Sequence, residues 1–120
     1  MQEHIMRLQR SPFDKVKNGT KSIELRLFDE KRALINIGDI ITFICEPEQT
    51  EVVTTKVIGI LRYPTFSNLI DDFPLELFGW SEKDKLIQNI YKYYTQKDEL
   101  KNGVVGIKLE LTQANSISCK

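Results

Sequence analysis

Stretches rich in β-branched residues alternate with turn-forming residues along this chain, and their order limits the folds that it can adopt. Three such stretches, residues 40–45, 52–63 and 104–111, each follow a turn or loop marked by Gly or Pro. Gly59 lies inside the longest stretch and is expected to bend or bulge that strand. No glycine-rich phosphate loop is present, which argues against a βαβ dinucleotide-binding fold.

Two shorter strands and a helix are predicted before residue 30. Residues 4–9 and 22–28 have the alternation that is typical of short strands. Between them, Ser11 is expected to cap a helix of about two turns, with Pro12 at its first position. Gly19 is expected to end this helix in the left-handed conformation.

Helical spacing of apolar residues returns between positions 66 and 73. Ser81 is then expected to cap a stronger helix, whose apolar stripe is most simply core packing. The stripe comprises Leu86, Ile87, Ile90, Tyr91 and Tyr94. The whole pattern predicts an α+β fold, in which a small β-barrel of about five to six mostly antiparallel strands carries two to four flanking helices.

The length of 120 residues fits a single domain that buries its own core. No repeat, low-complexity tract or Pro/Gly/Ser linker offers a domain boundary. We therefore predict one domain over residues 1–112 and a frayed tail over residues 113–120.

The composition gives no support for a metal site or a membrane segment. Cys45 and Cys119 are far apart in the chain, and with a single histidine they cannot complete a four-ligand zinc set. Charged residues interrupt the first ten positions, and no apolar run approaches the roughly 18 residues that a membrane helix needs. We therefore expect a soluble cytoplasmic protein that uses neither a metal nor a cofactor.

Charge is unevenly distributed along a chain whose net charge is zero. Residues 1–32 hold eight Lys or Arg against five acids, and residues 85–120 hold six against three, whereas residues 46–84 hold three against eight. If the two basic ends lie together in the fold, they form a basic face suited to a local nucleic-acid contact. Ordinary solvated charge is the alternative interpretation.

Lys21, Glu24 and Arg26 concentrate charge where a strand begins. Because Lys and Glu are disfavoured in strands, a polar site is one reason for this set. Side chains alternate along a strand, so regular pleating puts Lys21 on the opposite face from Glu24 and Arg26. The three share a cleft only if Lys21 lies in the turn before the strand or at a bulge.

This segment resembles the GxKxxExR signature of the ASCH domain, a relative of the PUA barrel, through Gly19, Lys21, Glu24 and Arg26. The resemblance to small bacterial ASCH proteins covers nearly all of residues 3–111. It implies a PUA-like barrel with a polar cleft and a role in binding RNA or a modified nucleoside. Further features that occur in similar order are Ser11-Pro12-Phe13, Ile37-Gly38-Asp39, Tyr63-Pro64-Thr65-Phe66, Gly79-Trp80, the stretch from Tyr93-Tyr94 to Glu99, and Gly103-Val104-Val105-Gly106-Ile107.

In a binding role, Lys21 and Arg26 contact phosphate or base edges, and Glu24 accepts from an exocyclic amine. A nearby aromatic ring then offers a stacking face to an unpaired base. Trp80 is one such candidate, although a Trp beside a glycine can equally be a wedge beneath a loop. The full set of candidate rings is Tyr63, Phe66, Trp80 and Tyr94.

In a catalytic role, Lys21 is the base or nucleophile, and Glu24 or Glu99 transfers protons. This resembles the small bacterial ASCH enzymes that hydrolyse the acetyl amide of N4-acetylcytidine, although those enzymes carry threonine where this chain has Glu24. Ribonuclease activity is a further alternative that the resemblance suggests. A purely structural role also stays open, in which Glu24 and Arg26 form an ion pair that holds the barrel together.

Overall fold

The computed structural model describes residues 1–112, and the predicted tail over 113–120 lies outside the described residues. The strands are β1 (Glu3–Leu8), β2 (Ile23–Leu27), β3 (Ile40–Cys45), β4 (Val52–Tyr63) and β5 (Val104–Leu111). Within residues 1–112, the helices are α1 (Arg10–Lys17), α2 (Phe66–Asp71), α3 (Lys83–Ile90) and α4 (Gln96–Asn102), with 3-10 helices at Arg32–Leu34 and Leu75–Phe78.

The five strands form one sheet in the order β1-β3-β4-β5-β2, which curls into a half-barrel. β1 pairs with β3 in parallel, and the other three pairings are antiparallel. The register of β4 against β5 shifts between Val57 and Gly59, so the irregularity predicted at Gly59 is present. The predicted α+β class, with a curled and mostly antiparallel sheet, is therefore confirmed.

The two faces of the sheet carry separate cores. On one face, α1 covers a cluster built largely from β1, β3, β4 and β5, while α2 and α3 cover a second cluster on the other face of β2 and β5. The first cluster includes Phe13, Ile41, Phe43, Val57 and Ile107, and the second includes Ile23, Phe66, Leu69, Phe78 and Leu86.

Two predicted helix starts are wrong. α1 begins at Arg10, because β1 ends at Leu8 and only Gln9 separates the two elements. Pro12 therefore occupies the third helical position, where the backbone still has no partner four residues earlier in the helix. α3 begins at Lys83 after Glu82, and Ser81 does not cap it.

The predicted stripe of the stronger helix is divided between a helix and a turn. α3 ends at Ile90, so Tyr91 and Tyr94 lie beyond it. Thr95 then caps a further helix, α4, by accepting a hydrogen bond from the Asp98 backbone. Tyr94 thus lies beyond the end of α3, and its hydroxyl interacts with Arg26 of β2.

Candidate functional site

A cleft of about 530 Å³ lies between β1 and β2, the two edge strands of the half-barrel. Residues from the β1–α1 junction form one side, residues of β2 form the floor, and the 3-10 helix at Leu75–Phe78 and the end of α3 contribute the other side. The lining residues are Arg7, Leu8, Gln9, Ser11, Pro12, Lys15, Lys21, Glu24, Leu25, Arg26, Glu46, Phe78, Trp80, Leu86, Asn89, Ile90, Tyr93 and Tyr94.

Lys21 reaches the cleft from the turn between α1 and β2. Gly19 adopts φ +84°, a left-handed conformation that suits glycine and ends the helix. The turn is then fixed by backbone hydrogen bonds from Lys21 N to Lys15 O and from Ser22 N to Leu77 O, each 2.9 Å. Since β2 begins only at Ile23, strand alternation does not separate Lys21 from the polar face of β2.

Glu24 is the centre of a three-residue charge cluster. Its Oε1 lies 2.6 Å from Lys21 Nζ, and its Oε2 accepts a hydrogen bond of 2.7 Å from Arg26 Nε. Only 3% of the Glu24 side chain is exposed, against 12% for Lys21 and 13% for Arg26. Oε1 is itself fully buried against Lys21, so both carboxylate oxygens of Glu24 are engaged by cations.

The two cations keep Glu24 ionised despite its burial. Burial acts to raise the pKa of this carboxyl, but the charges of Lys21 and Arg26 outweigh that effect and lower the pKa to about 2. The cluster therefore presents a fixed carboxylate and two cationic groups at neutral pH.

Arg26 also connects the two edge strands. Its Nη2 donates a hydrogen bond of 3.2 Å to the backbone carbonyl of Arg7, which lies on β1. Burial opposes its charge, yet the attraction of Glu24 and an interaction with the Tyr94 hydroxyl raise the pKa of Arg26. The pKa of Tyr94 is in turn raised, chiefly by burial.

Trp80 lies on the opposite side of the cleft and is partly exposed. The Lys15 ammonium is 5.3 Å from the centroid of its ring and donates a 2.7 Å hydrogen bond to the Gly79 carbonyl. Gly79 itself has φ +80°, and a Cβ at this position would lie 3.2 Å from Lys21 Cβ. The glycine thus allows the Trp80 loop to pack closely against the turn that carries Lys21.

Three of the predicted site residues are not brought to the cleft. Phe66 is fully buried, with its ring stacked on Tyr94 at 5.7 Å, so it cannot stack on a base. Tyr63 donates a 2.6 Å hydrogen bond to Asp72 outside the cleft. Glu99 is buried elsewhere, and each of its oxygens already accepts a hydrogen bond.

Glu99 joins three structural elements instead. Its Oε2 accepts from the backbone N–H of Phe66 at 2.7 Å, and its Oε1 accepts from the Tyr91 hydroxyl at 2.6 Å. Burial and the Glu99 charge together raise the pKa of Tyr91 to about 12. These contacts connect α4 to the start of α2 and the end of α3, as expected of a residue that holds the fold together.

The family model of the ASCH domain matches residues 6–113 of this chain. The chain belongs to the ASCH domain family. This confirms the resemblance that Lys21, Glu24 and Arg26 suggested.

Solved structures agree with the ASCH assignment. The hypothetical protein PH0355 is 32% identical with a TM-score of 0.79, and the match covers 93% of this chain and 100% of that one. Protein PF0455 from Pyrococcus furiosus is 31% identical with a TM-score of 0.74, over 94% and 99% of the two chains. ASCH from Zymomonas mobilis shares the fold at 15% identity, with a TM-score of 0.65 over 90% of this chain and 66% of that one. No curated protein matches the chain.

Several cleft residues of this ASCH domain were not predicted from the sequence. Arg7 and Lys15 line the cleft, and Tyr93 lies at it with 63% of its surface exposed. Arg7 and Lys15 belong to the basic N-terminal third of the chain, so the uneven distribution of charge was the sequence feature that pointed to them. Tyr93 sits beside the predicted Tyr94, and the end of α3 decides which of the two is exposed.

The described part of the chain contains no group of three or more His, Cys, Asp or Glu residues that could hold a metal ion. Over the same residues 1–112, no helix has the length and apolar character needed to cross a membrane.

Proposed function

We propose that the cleft binds a single unpaired nucleotide of RNA or a modified nucleoside. The observation that carries this proposal is the buried Glu24 carboxylate, held between Lys21 and Arg26 on the floor of a cleft that aromatic rings also line. Sequence-specific RNA recognition uses unpaired bases that stack on aromatic rings and hydrogen-bond through their edges. The cleft offers both kinds of contact in one place.

The polar groups of the cleft suit a base that presents donors and acceptors side by side. Glu24 lines the cleft as an acceptor for an exocyclic amine, and the cations beside it donate to ring nitrogens or carbonyl oxygens. Trp80 and the exposed Tyr93 are the rings best placed to stack on such a base. The volume of about 530 Å³ falls within the range of roughly 300–1,000 Å³ that is usual for small-ligand sites.

The charge of the cleft fits the same ligand. Four cationic residues line it, namely Arg7, Lys15, Lys21 and Arg26, against the two acids Glu24 and Glu46. The chain as a whole is neutral, so this local excess of positive charge favours one nucleotide or a short strand over a long duplex.

Two observations favour binding over amide hydrolysis. Lys21 is ion-paired with Glu24 at 2.6 Å, so its amino group is already engaged by a buried carboxylate instead of being free to attack a substrate. Glu99, the predicted distant acid, bonds to Phe66 and Tyr91 instead of facing the cleft.

Trp80 is the only tryptophan in the sequence, so its fluorescence reports directly on the cleft. We propose to titrate the protein with mixed-sequence single-stranded RNA, with the four ribonucleosides and with N4-acetylcytidine, and to analyse each mixture by chromatography. We expect saturable changes in fluorescence without product. Lys21→Ala should weaken binding by about tenfold or more, since a hydrogen bond to a charged group contributes roughly 1.5–3 kcal/mol.

Lys56→Ala is the matched control for the charge change. Lys56 is exposed on β4, away from the cleft, and its replacement should leave binding unchanged. Absence of binding to every ligand would refute the proposed function. Release of acetate from N4-acetylcytidine or cleavage of the RNA, if abolished by Lys21→Ala, would instead establish a hydrolase.

A further inference from the structure

We infer that Arg62 forms a phosphate subsite next to the cleft, which takes the phosphodiester of the nucleotide bound there. The inference rests on the proposed function, because it names the group that extends out of the cleft. It predicts that phosphorylated ligands bind more tightly than free nucleosides.

The register of the sheet places Arg62 in line with the charge cluster. Val105 of β5 pairs with Arg26 on one side and with Arg62 of β4 on the other. Directly paired residues on neighbouring strands face the same side of a sheet, and strands lie about 4.8 Å apart. Arg26 and Arg62 therefore stand on one face with their backbones about 10 Å apart.

Arg62 differs from the neighbouring arginines in having no acidic partner among the described residues. Arg26 is ion-paired with Glu24, and Arg32, which follows β2, is paired with Asp29 at 3.2 Å. Arg62 is exposed and has no carboxylate partner among residues 1–112. An exposed guanidinium without an acid partner is available to a singly charged phosphodiester.

Phe28 holds the Arg62 side chain in position. The Arg62 guanidinium carbon lies 3.3 Å from the centroid of the Phe28 ring. Stacking on an aromatic face restricts the orientation of a guanidinium but uses none of its five N–H donors, so the planar fork stays free for two phosphate oxygens. Phe28 directly follows β2, two residues after Arg26. The subsite is therefore connected to the strand that forms the floor of the cleft.

Arg32 is a second guanidinium near the cleft, although Asp29 offsets its charge. It acts electrostatically on Tyr94, which lines the cleft, and its buried Nε has no hydrogen-bond partner among the described residues. Its single carboxylate partner, Asp29, thus leaves part of its donor capacity unused.

The test compares free and phosphorylated forms of the same nucleoside by Trp80 fluorescence. The probes are the four ribonucleosides and their 3′- and 5′-monophosphates. For the nucleoside that binds, we expect one monophosphate to bind at least about tenfold more tightly than the free form, as a charge-assisted bidentate contact implies. Arg62→Ala should remove that preference and leave the affinity for the free nucleoside unchanged.

Two further variants test whether the preference for phosphate depends on the Arg62 guanidinium itself. Arg62→Lys keeps the charge but loses the planar fork, so it should restore only part of the preference. Lys56→Ala removes a positive charge from the opposite face of the same strand and should keep the preference intact. With short single-stranded RNA, Arg62→Ala should reduce the slope of log affinity against log salt by about 0.7, the value for one lost phosphate contact.

The outcomes separate the two proposals. Nucleosides that bind as tightly as their monophosphates, or a preference that survives Arg62→Ala, would overturn the subsite and leave the proposed function standing. If the protein binds neither nucleosides nor monophosphates nor RNA, both proposals are rejected together.

Discussion

At the scale of single residues, Glu24 determines the charge arrangement of the cleft. Its carboxylate is 3% exposed and stays ionised because Lys21 and Arg26 contact it from two sides. Both cations depend on this one carboxylate as their counter-ion. Removing one member therefore affects stability and ligand binding together.

We expect Glu24→Gln to destabilise the protein by about 3–5 kcal/mol, because the change leaves Lys21 and Arg26 largely buried without their counter-ion. Urea unfolding followed by circular dichroism at neutral pH measures this loss. Glu110→Gln, at an exposed position of β5, should change stability by less than about 0.5 kcal/mol. An equal effect of the two substitutions would contradict a stabilising role for the cluster.

The sequence predicted the polar members of the site better than the aromatic ones. Lys21, Glu24 and Arg26 stood out because charge is unusual where a strand begins. Phe66 and Trp80 could not be told apart in the same way, since both are aromatic residues beside turns. Only the packing of α2 against the sheet buries Phe66 completely, and that packing depends on residues distant in sequence.

At the scale of elements, two turns bring the cleft together. The turn after α1 carries Lys21, and the turn after the 3-10 helix at Leu75–Phe78 carries Trp80. Gly79 lies where they meet, because a Cβ there would lie within 3.2 Å of Lys21 Cβ and 3.1 Å of Lys15 Cδ. The distance between the two sides of the cleft thus depends on a residue without a side chain.

We expect Gly79→Ala to lower both stability and ligand affinity. An alanine at φ +80° carries a backbone cost of roughly 1–2 kcal/mol, and its methyl group would also push against the Lys21 turn. Gly38→Ala is the matched comparison, since Gly38 has φ +97° but an alanine methyl group there would meet no atom within 4 Å. Both variants should lose stability in urea unfolding, and only Gly79→Ala should weaken ligand binding in the Trp80 titration.

Strands were easier to predict than helix ends. The bounds of β3, β4 and β5 agree with runs of β-branched residues that the sequence displays directly. The predicted cap at Ser11 failed because only Gln9 separates β1 from α1, and α3 begins two residues after Ser81 without a side-chain cap. α4 was missed as a separate helix because its sequence is almost entirely polar.

At the scale of the whole molecule, the sheet brings the two basic ends of the chain together. β2 and β5 pair along their length, although some 80 residues separate them in sequence. The parallel pairing of β1 with β3 could not be predicted, because short strands carry no local signal for a distant partner. Fold family and strand content were accessible from the sequence, whereas the strand order was not.

The protein should lose stability progressively in acid. The pKa of Glu24 is lowered to about 2 by its cations, and that of Asp39 is lowered to about 2 by hydrogen bonds from His4, Asn36 and Gln2. A carboxyl whose pKa is lower in the folded state stabilises the fold above its unfolded pKa and loses that contribution as the pH falls. The decline should therefore begin near pH 4.5 and continue towards pH 2.

Urea unfolding at a series of pH values between about 7 and 2 measures this dependence. Glu24→Gln should flatten the decline, because the variant has one fewer carboxyl to protonate. A wild-type stability that stays constant from about pH 5 to about pH 3 would show that neither carboxylate contributes as described.

The hydrogen bond from Arg26 to the Arg7 carbonyl also affects the tendency of the protein to aggregate. An edge strand offers unpaired backbone groups to any other chain, and β1 and β2 are both edges. Here the two edges face the same cleft, and a side chain of one occupies a carbonyl of the other. Replacing Arg26 would thus free a backbone acceptor on β1 and favour edge-to-edge aggregation. The side chain that is proposed to bind the ligand therefore also limits aggregation through the edge strands.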